Sequence, residues 1–433
     1  MLEELIEKAA ARIRNESGFI QVVSHYDADG IASAAIIKKS LVKLEKNFNI
    51  KIVKQIKPEL IDELNEIKAD LIIFSDLGSG YMEEIIKLNT DVIISDHHEI
   101  TGNIAADNII HVNPMMFESD YYSASYVTSM IAKKLGTDEV DALALVGAIG
   151  DSSNASIEKL LESEEIVQER GLKLFGRMSR PIHKALELSF DAEIPGVTGS
   201  ESSAIQFLSE VGINPKNGEK WRTLSDLEND EVKTLAAAII KERIKNGHES
   251  ADDIFGYVWT LKNFEDELRD ATEFATLLNC CGRLGDPQIG IDICLGKKDA
   301  LEKVRELVKK YKRNIGKYLS WLKNHPEIII HGNKAVYILA ENKIHENFIG
   351  TIVSISARSM FTEGIVIGMA DSEDGVKVSG RSMAVNINEV LTEAAGEVDG
   401  VSGGHCEAAG AVIPKGSEDN FIKACEEAIK KHL

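Results

Sequence analysis

The stretch that decides the fold prediction is residues 19–30, which read FIQVVSHYDADG. Two later stretches repeat its design, residues 71–78 (LIIFSDLG) and residues 92–99 (VIISDHHE). Each begins with a short apolar run rich in β-branched residues, which favours a buried strand. Because segments of helical periodicity lie between these runs, the first 150 residues are predicted to form a parallel α/β sheet.

Polar residues follow each of these predicted strands directly. Since the carboxyl ends of parallel strands lie at one edge of a sheet, where ligands bind, we expect these side chains to converge. Asp151, which follows an apolar run over residues 142–150, is a further candidate. The full set is His25, Asp27, Asp29, Asp76, His97, His98 and Asp151. A single Asp after a strand is more often a helix cap or turn residue, so the prediction depends on their coincidence.

Imidazole and carboxylate donors without sulfur suit a divalent metal ion. The chain has five cysteines and no C-x-x-C spacing, which argues against a disulfide framework and a thiolate zinc site. Seven donors are too many for one ion. Two ions about 3.5 to 4 Å apart, joined by bridging carboxylates, would generate a hydroxide nucleophile for phosphoester hydrolysis. Mn²⁺ suits this donor set best, with Mg²⁺, Co²⁺ and Zn²⁺ as alternatives.

The formal net charge of −21 excludes a simple cationic coat protein for nucleic acid, but it conceals a basic segment. Residues 297–325 carry ten Lys or Arg and three acids, and their apolar residues recur every three or four positions, which predicts one amphipathic helix. This helix could supply counter-charges to a polyanion, or it could be a solvated linker. Its aromatic residues are candidate base-stacking surfaces, although packing is favoured for Tyr311 and Tyr318, which share the apolar stripe.

Several motifs occur in an order that resembles the DHH phosphoesterase superfamily. They are HYDADG at 25–30, SDLG at 75–78, DHH at 96–98, GD at 150–151 and, for the associated C-terminal domain, GGHCEAAG at 403–410. NCCGRL at 279–284 is similar to an Asn-Ala-Ala-Gly-Arg element of the RecJ single-strand exonucleases. Each motif is weak alone, but the ordered set is specific. With 23 residues after Gly410, we expect the shorter archaeal RecJ-like type, without an additional OB-type domain.

The resemblance implies an α/β fold in which a parallel-sheet DHH domain is joined by a long helix to a smaller α+β DHH-associated domain. Four regions are expected along the chain. They are a DHH catalytic domain at 1–190, a mainly helical intermediate region at 191–296, the basic connector helix at 297–325 and a DHH-associated substrate-binding domain at 326–433.

The resemblance also implies residue roles. The metal ligands would be His25, Asp27, Asp29, Asp76, His97 and Asp151. Asp76 and Asp151 are the predicted bridging carboxylates, and Asp96 is expected to accept the second ring N–H of His97. His98 would be a ligand or would face the phosphate, and the second role is preferred.

A second set of residues is implied to contact the substrate. Gly403 and Gly404 would let backbone N–H groups approach a phosphate, and His405 would donate to the scissile phosphate or its leaving group. Arg283 and Arg381 are candidate phosphate clamps, for which surface ion pairs are the alternative. Asn279 completes the predicted substrate-binding set.

Three functions follow as hypotheses. The leading one is a metal-dependent exonuclease on single-stranded DNA or RNA, in replication or repair. The alternatives are a phosphodiesterase for short oligonucleotides or cyclic dinucleotides, and a non-catalytic replication scaffold. The resemblance to archaeal members names the replication factor GINS as a candidate partner. No apolar run approaches the length of a membrane span and no signal segment is evident, so a cytoplasmic protein is expected.

Overall fold

A parallel sheet of five strands lies at the centre of the N-terminal part of the computed structural model. Its strands are β1 (Phe19–His25), β2 (Asn47–Val53), β3 (Leu71–Ser75), β4 (Asp91–Ser95) and β5 (Ile109–Val112). Their order is β2-β1-β3-β4-β5, and every neighbouring pair is parallel. The three predicted strands are confirmed as β1, β3 and β4. The two edge strands were missed because edge strands lack the continuous apolar run of a strand buried on both faces.

The structure describes most of the chain, in two compact units at residues 1–307 and 308–433. The described residues are 1–102, 106–117, 120–189, 192–248, 250–361, 364–404 and 406–432. Among them, no helix is both long enough and apolar enough to cross a membrane. The α/β class and the second, separate sheet agree with the predicted architecture, whereas the exact domain boundaries stay a prediction.

Helices cover both faces of the parallel sheet. They are α1 (Leu2–Asn15), α2 (Ala28–Lys43), α3 (Pro58–Ile67), α4 (Met82–Ile85) and α5 (Ala124–Lys134). Two further helices, α6 (Asp141–Gly150) and α7 (Asn154–Leu160), follow, and α6 packs on α2 and α5. Successive residues of one strand enter different cores: Ile73 packs with α1 and α5, whereas Phe74 packs with α3 and α4. Both faces are therefore buried, which explains why the central strands are continuous apolar runs.

The remainder of the first unit combines helices with two small antiparallel pairs. The helices are α8 (Ile182–Glu187), α9 (Glu201–Val211), α10 (Asn229–Lys245), α11 (Ala271–Arg283) and α12 (Pro287–Cys294). Strand β6 (Ile166–Leu172) pairs with β9 (Phe255–Leu261), and β7 (Lys216–Asn217) pairs with β8 (Lys220–Trp221). Helical periodicity was expected here, and β6 and β9 were missed because partners so far apart in sequence leave no local hairpin signal.

The second unit contains a mixed six-stranded sheet, ordered β10-β11-β12-β13-β15-β14. Its strands are β10 (Ile329–His331), β11 (Val336–Glu341), β12 (Ile365–Ser372), β13 (Gly375–Ser382), β14 (Val401–Gly404) and β15 (Ala408–Ile413). Its helices are α14 (Glu346–Ser359), α15 (Ile387–Gly396) and α16 (Glu418–His432). The predicted strand-like runs at 328–330, 335–340 and 364–369 correspond to β10, β11 and β12.

The basic segment forms the helix α13 (Lys298–Asn324). The Tyr311 ring stacks on Phe348 with centroids 5.1 Å apart, and the Tyr311 hydroxyl lies 2.8 Å from Thr351 Oγ1. Tyr318 meets the same phenylalanine ring edge-on at 5.3 Å. The packing role favoured for these two tyrosines is therefore the one that the structure shows.

The turn between β1 and α2 is closely packed. Asp27 caps α2 by accepting a hydrogen bond from the Gly30 N–H at 3.0 Å. A Cβ atom on Gly30 would lie 2.3 Å from the His25 carbonyl oxygen, so the helix can approach the strand end only with glycine here. The turn thereby holds His25, Asp27 and Asp29 close together.

Replacing Gly30 by alanine should destabilise the first unit. The added methyl group would overlap the His25 carbonyl, and overpacking of this kind costs about 1 to 3 kcal/mol. Urea denaturation followed by circular dichroism measures the loss. The matched control is Gly80→Ala, because a Cβ there would meet only the Glu99 carbonyl oxygen, at 4.0 Å. Equal denaturation midpoints for the two variants would contradict the prediction.

Candidate metal centre

The structure brings all seven predicted donor residues together at the carboxyl edge of the parallel sheet. His25 ends β1, Asp76 follows β3, and His97 follows β4. Three groups of potential ligands form, and within each the ligand atoms lie within 4.8 Å of one another. The groups are His25, Asp27 and Asp76; Asp76, Asp96, His97 and His98; and Asp29, His97 and Asp151. Asp76 and His97 each belong to two groups, so the three are continuous.

Asp76 lies between two histidine rings. Its Oδ2 is 3.3 Å from His25 Nδ1, and its Oδ1 is 3.2 Å from His97 Nε2. Its backbone has φ of +59°, a left-handed conformation that costs a residue other than glycine about 1 to 3 kcal/mol. The Asp76 N–H donates to the Ser95 carbonyl at 3.0 Å, which ties this conformation to β4. Each Asp76 oxygen thus faces a different histidine, and the role of Asp76 as a bridging carboxylate stays a prediction.

The other two N-terminal aspartates are oriented by helix N-termini. Asp27 Oδ2 lies 3.1 Å from His25 Nδ1, while Asp27 also caps α2. Asp29 accepts hydrogen bonds from the N–H groups of Ala124 and Ser125 at the start of α5, at 2.7 and 3.0 Å. Backbone donors at helix N-termini favour the ionised form of each carboxylate and fix its direction.

Asp151 caps the C-terminus of α6 and lies on the Nδ1 side of the His97 ring, whereas Asp76 lies on the Nε2 side. Asp151 Oδ2 lies 3.6 Å from His97 Nδ1 and accepts a hydrogen bond from the Tyr121 hydroxyl at 2.6 Å. The Tyr121 ring centroid is 5.0 Å from that of His97. Sequence reasoning missed Tyr121 because it lies between β5 and α5, outside every recognised motif. The bridging role of Asp151 stays a prediction.

The expected partner of Asp96 was wrong. Asp96 Oδ1 lies 2.8 Å from Nδ1 of His98, whereas toward His97 it accepts only the backbone N–H, at 2.8 Å. Its other oxygen accepts the Ser79 N–H at 2.8 Å. Because adjacent residues place their rings in different directions, the carboxylate that precedes both can reach only one of them. Asp96 therefore orients the ring of His98.

Several buried polar atoms in this cluster have charged neighbours at 3.1 to 3.6 Å but form no well-aligned hydrogen bond within the described part of the chain. They are His25 Nδ1, Asp76 Oδ2 and both ring nitrogens of His97. Buried polar atoms are nearly always satisfied, so this concentration calls for a missing partner. Imidazole nitrogen and carboxylate oxygen are donors for divalent cations such as Mn²⁺, Mg²⁺ and Zn²⁺. The residues present therefore fit a divalent metal centre.

The cluster retains protons when no metal is bound. Burial, reinforced by the charges of Asp27 and Asp29, raises the pKa of Asp76 well above its usual range. Burial likewise raises the pKa of Asp151 to about 8. For His25, burial lowers the pKa, but the carboxylates of Asp27 and Asp76 outweigh it and leave the pKa well above normal. A cation that binds here must displace these protons.

The helix α11, which carries the predicted substrate residues Asn279 and Arg283, packs against the turn between β1 and α2, called the metal turn below. The Asn279 side-chain oxygen accepts a hydrogen bond from the Ala28 N–H at 3.1 Å, which positions the turn, and its predicted contact with substrate stays a prediction. A Cβ on Gly282 would lie 1.7 Å from the Tyr26 carbonyl oxygen, which shows how closely α11 packs on this turn. Arg283 is the last residue of α11 and is half-buried. Its role as a phosphate clamp stays a prediction.

The remaining predicted substrate residues belong to the second unit. Arg381 lies on β13, where its Nε donates to Ser354 Oγ at 2.9 Å and its Nη1 to the Gly380 carbonyl at 2.7 Å. Gly403 and Gly404 end the edge strand β14. His405 lies outside the described residues. The substrate roles of these residues stay predictions.

Family models match most of the chain. The DHH family N-terminal domain matches residues 19–149, the DHH-CID domain residues 174–254, and the DHHA1 domain residues 332–431. An uncharacterized protein of Methanocaldococcus jannaschii is 30% identical over an alignment that covers 100% of this chain and 98% of that protein. The chain belongs to the DHH family. Its fold and family make it a phosphoester hydrolase related to RecJ.

The RecJ relationship has a sequence and a structural component. The single-stranded-DNA-specific exonuclease RecJ of Bacillus subtilis is 26% identical over 57% of this chain and 34% of that protein. The solved structure of Thermus thermophilus RecJ in complex with Mn²⁺ aligns over 99% of this chain and 55% of the RecJ chain, with a TM-score of 0.60 and 18% identity. CDC45 of Entamoeba histolytica matches 99% of both chains, with a TM-score of 0.65 and 12% identity. Because the sequence identities to these two solved structures are low, the comparison shows that they share the fold with this chain and no more.

Mn²⁺ binding should strengthen as the pH rises toward about 8. Below the pKa of Asp151, the cation has to displace a proton from that carboxyl group, and the raised pKa values of Asp76 and His25 act in the same direction. Titration calorimetry of the EDTA-treated protein, between about pH 6 and about pH 8.5 and in buffers of different ionisation enthalpy, measures affinity and proton release.

An Asp151→Asn variant should bind Mn²⁺ more weakly and with a shallower pH dependence, because the titrating group is gone. Asp62→Asn, a change at an exposed position of α3, is the matched control and should behave as the wild type. An affinity that does not change with pH in the wild type would contradict the proton-displacement argument.

Proposed function

We propose that this chain is a metal-dependent exonuclease that hydrolyses phosphodiester bonds of single-stranded DNA or RNA in the cytoplasm, in replication or repair. The observation that carries the proposal is the position of Asp76 between His25 and His97, with Asp27 next to His25 and with Asp29 and Asp151 next to His97. The B. subtilis relative, named as a single-stranded-DNA-specific exonuclease, supports the choice of substrate.

The chain offers two adjoining places for divalent ions. His25, Asp27 and Asp76 would hold one, and Asp29, His97 and Asp151 would hold the other, with Asp76 shared. Divalent ions bound there supply Lewis-acid activation of water and neutralise charge that develops on a phosphoryl group. Mn²⁺ is the proposed ion because mixed imidazole and carboxylate donors suit it, and the solved T. thermophilus RecJ is in complex with it.

His98 is proposed to contact the substrate phosphate. Burial opposes its protonation, but the Asp96 carboxylate at 2.8 Å outweighs burial and raises the pKa of His98. With Nδ1 directed at Asp96, Nε2 is the ring nitrogen that remains to donate to a phosphate oxygen. The His98 side chain is 43% exposed, whereas that of His97 is 2% exposed, so His98 is the histidine that a substrate can reach. A charged N–H donor is well suited to a phosphate oxygen.

The complete set of buried donors favours an enzyme over a scaffold. Seven His and Asp side chains in a mostly buried cluster cost folding free energy unless a cation compensates them, and a binding module gains nothing from that cost. Association with the replication factor GINS is proposed on the family resemblance alone, and co-purification with GINS tests it separately from catalysis.

The decisive experiment is hydrolysis of matched substrates. End-labelled single-stranded DNA, single-stranded RNA and a dinucleotide are incubated with the purified protein in Mn²⁺, in Mg²⁺ and in EDTA. We expect Mn²⁺-dependent shortening of at least one long strand and no reaction in EDTA. Hydrolysis confined to the dinucleotide would favour the small-substrate phosphodiesterase. The absence of metal-dependent hydrolysis of all three would overturn the proposal.

Removing the Asp76 carboxylate should abolish this activity. Asp76→Ala and Asp76→Gly should each lower the rate of strand shortening by orders of magnitude, because both proposed ions lose a ligand. Asp62→Ala, an exposed change on α3, is the activity control. Rates within a few-fold of wild type for the Asp76 variants would show that the metal centre lies elsewhere.

The two Asp76 variants should differ in stability. Without metal, Asp76→Gly should be more stable than Asp76→Ala by about 1 kcal/mol, because glycine adopts the φ of +59° without the penalty that alanine incurs. Thermal denaturation in EDTA measures the difference. A more stable alanine variant would show that the left-handed conformation is not retained.

A further inference from the structure

The antiparallel ribbon of β6 and β9 carries three aromatic side chains on one face. Cross-strand partners share a face, and the pairs are Gln168 with Trp259, Arg170 with Tyr257, and Leu172 with Phe255. Phe255, Tyr257 and Trp259 therefore follow one another along β9 on the same side. Their Cα atoms are separated by about 6.8 Å, twice the rise per residue of an antiparallel strand.

The middle of this aromatic face is open to solvent. Tyr257 is 51% exposed, and Gln168 and Arg170 beside it are exposed as well. On the opposite face, Val258 and Thr260 are buried. The two ends of the aromatic face are buried, because Ile166, Leu172 and Leu261 also lie on it and Phe255 packs against the core that contains Leu172. The part that remains open has an exposed tyrosine next to the half-buried Trp259, and flat rings can stack on such a surface.

The face also carries a single charge, and this charge is positive. Of its eight side chains only Arg170 is charged, and its guanidinium carbon lies 5.1 Å from the Phe255 ring centroid and 5.0 Å from that of Tyr257. Glu169, the acidic residue of β6, belongs to the other face. In a chain of net charge −21, an aromatic row with a lone cation is complementary to a ligand that has flat rings and negative charge.

The ribbon is connected to the candidate metal centre through one helix. The N-cap of α11, Asp270, forms a β-bridge with Thr260 of β9. Farther along α11, Asn279 holds the backbone of Ala28 in the metal turn. Asp270 and Asn279 are nine residues apart, about 14 Å along a helix axis. Because this helix segment is longer than one nucleotide unit, a ligand that contacts both places would need more than a single nucleotide.

We propose that the aromatic face of the β6–β9 ribbon binds single-stranded nucleic acid outside the metal centre. Bases stack on Tyr257 and on the accessible part of Trp259, and Arg170 contacts the backbone phosphates. Ring spacing along a strand is close to that of successive bases in an extended single strand, and every base can stack, so the surface selects for strand length rather than sequence. This inference rests on the proposed action on single strands.

Binding measurements on the whole protein test the proposal. Fluorescence anisotropy of labelled oligo(dT) and oligo(U), each of about 20 nucleotides, is recorded in EDTA so that no hydrolysis occurs. Tyr257→Ala should weaken binding about five- to tenfold or more, because loss of one stacked base is worth that much, and Tyr257→Phe should restore it. The control is Ile244→Ala, a substitution of another exposed apolar side chain in the same unit, 63% exposed, which should bind as the wild type does.

Salt dependence separates stacking from phosphate contact. Tyr257→Ala should lower the affinity at every salt concentration without changing the slope of log affinity against log salt concentration. Arg170→Ala should make that slope shallower by about one unit, because one contact with a phosphate is lost. In Mn²⁺, the preference of Tyr257→Ala for a long strand over a dinucleotide should fall by the same factor as its affinity.

The outcomes distinguish this inference from the proposed function. If the protein binds single strands through Tyr257 but has no nuclease activity, the binding surface is supported and the proposed exonuclease function is overturned. If the protein hydrolyses single strands but Tyr257→Ala and Arg170→Ala both bind them with unchanged affinity, the exonuclease function is supported and the binding surface is overturned. A circular dichroism spectrum and melting temperature equal to wild type must accompany any loss of affinity, and a loss seen only with global unfolding would overturn the inference.

Discussion

The main constraint on this structure is that several carboxylates and imidazoles lie buried close together at the carboxyl edge of the parallel sheet. Asp29, Asp76 and His97 are almost fully buried within a few ångströms of one another. Like charges at this separation repel strongly in a medium of low dielectric constant. Burial, reinforced by this repulsion, raises the pKa values of Asp76 and Asp151, so these carboxyl groups retain protons in the metal-free chain, and divalent cations fit the same places.

The surrounding fold stabilises those charges with backbone donors. Asp27 accepts from the first turn of α2, Asp29 from the first turn of α5, and Asp96 from the Ser79 N–H after β3. Each carboxylate is therefore directed by a peptide group whose position is fixed by secondary structure. The helices α2 and α5, which bury one face of the sheet, therefore also supply the N-termini that orient two of the aspartates.

The support extends beyond the sheet to α11. Asn279 satisfies the Ala28 N–H, and Gly282 allows the helix to touch the Tyr26 carbonyl, so the turn that carries three candidate ligands is held from outside as well as from within. The same helix packs against β9 and thereby joins the β1–α2 turn to the ribbon that carries the exposed Tyr257 ring. On the function and the binding surface proposed above, catalysis and polymer binding would lie at two places joined by this helix.

The sequence by itself determined the central strands, the residues at their ends and the identity of the donors, because short apolar runs followed by Asp or His are local patterns. Only the tertiary structure decided which of two adjacent histidines Asp96 contacts, that Tyr121 reaches Asp151, and that Asn279 supports α2. It also decided the pairing of β6 with β9. These contacts join residues far apart in the chain or depend on ring direction, and neither leaves a periodic signal in the sequence.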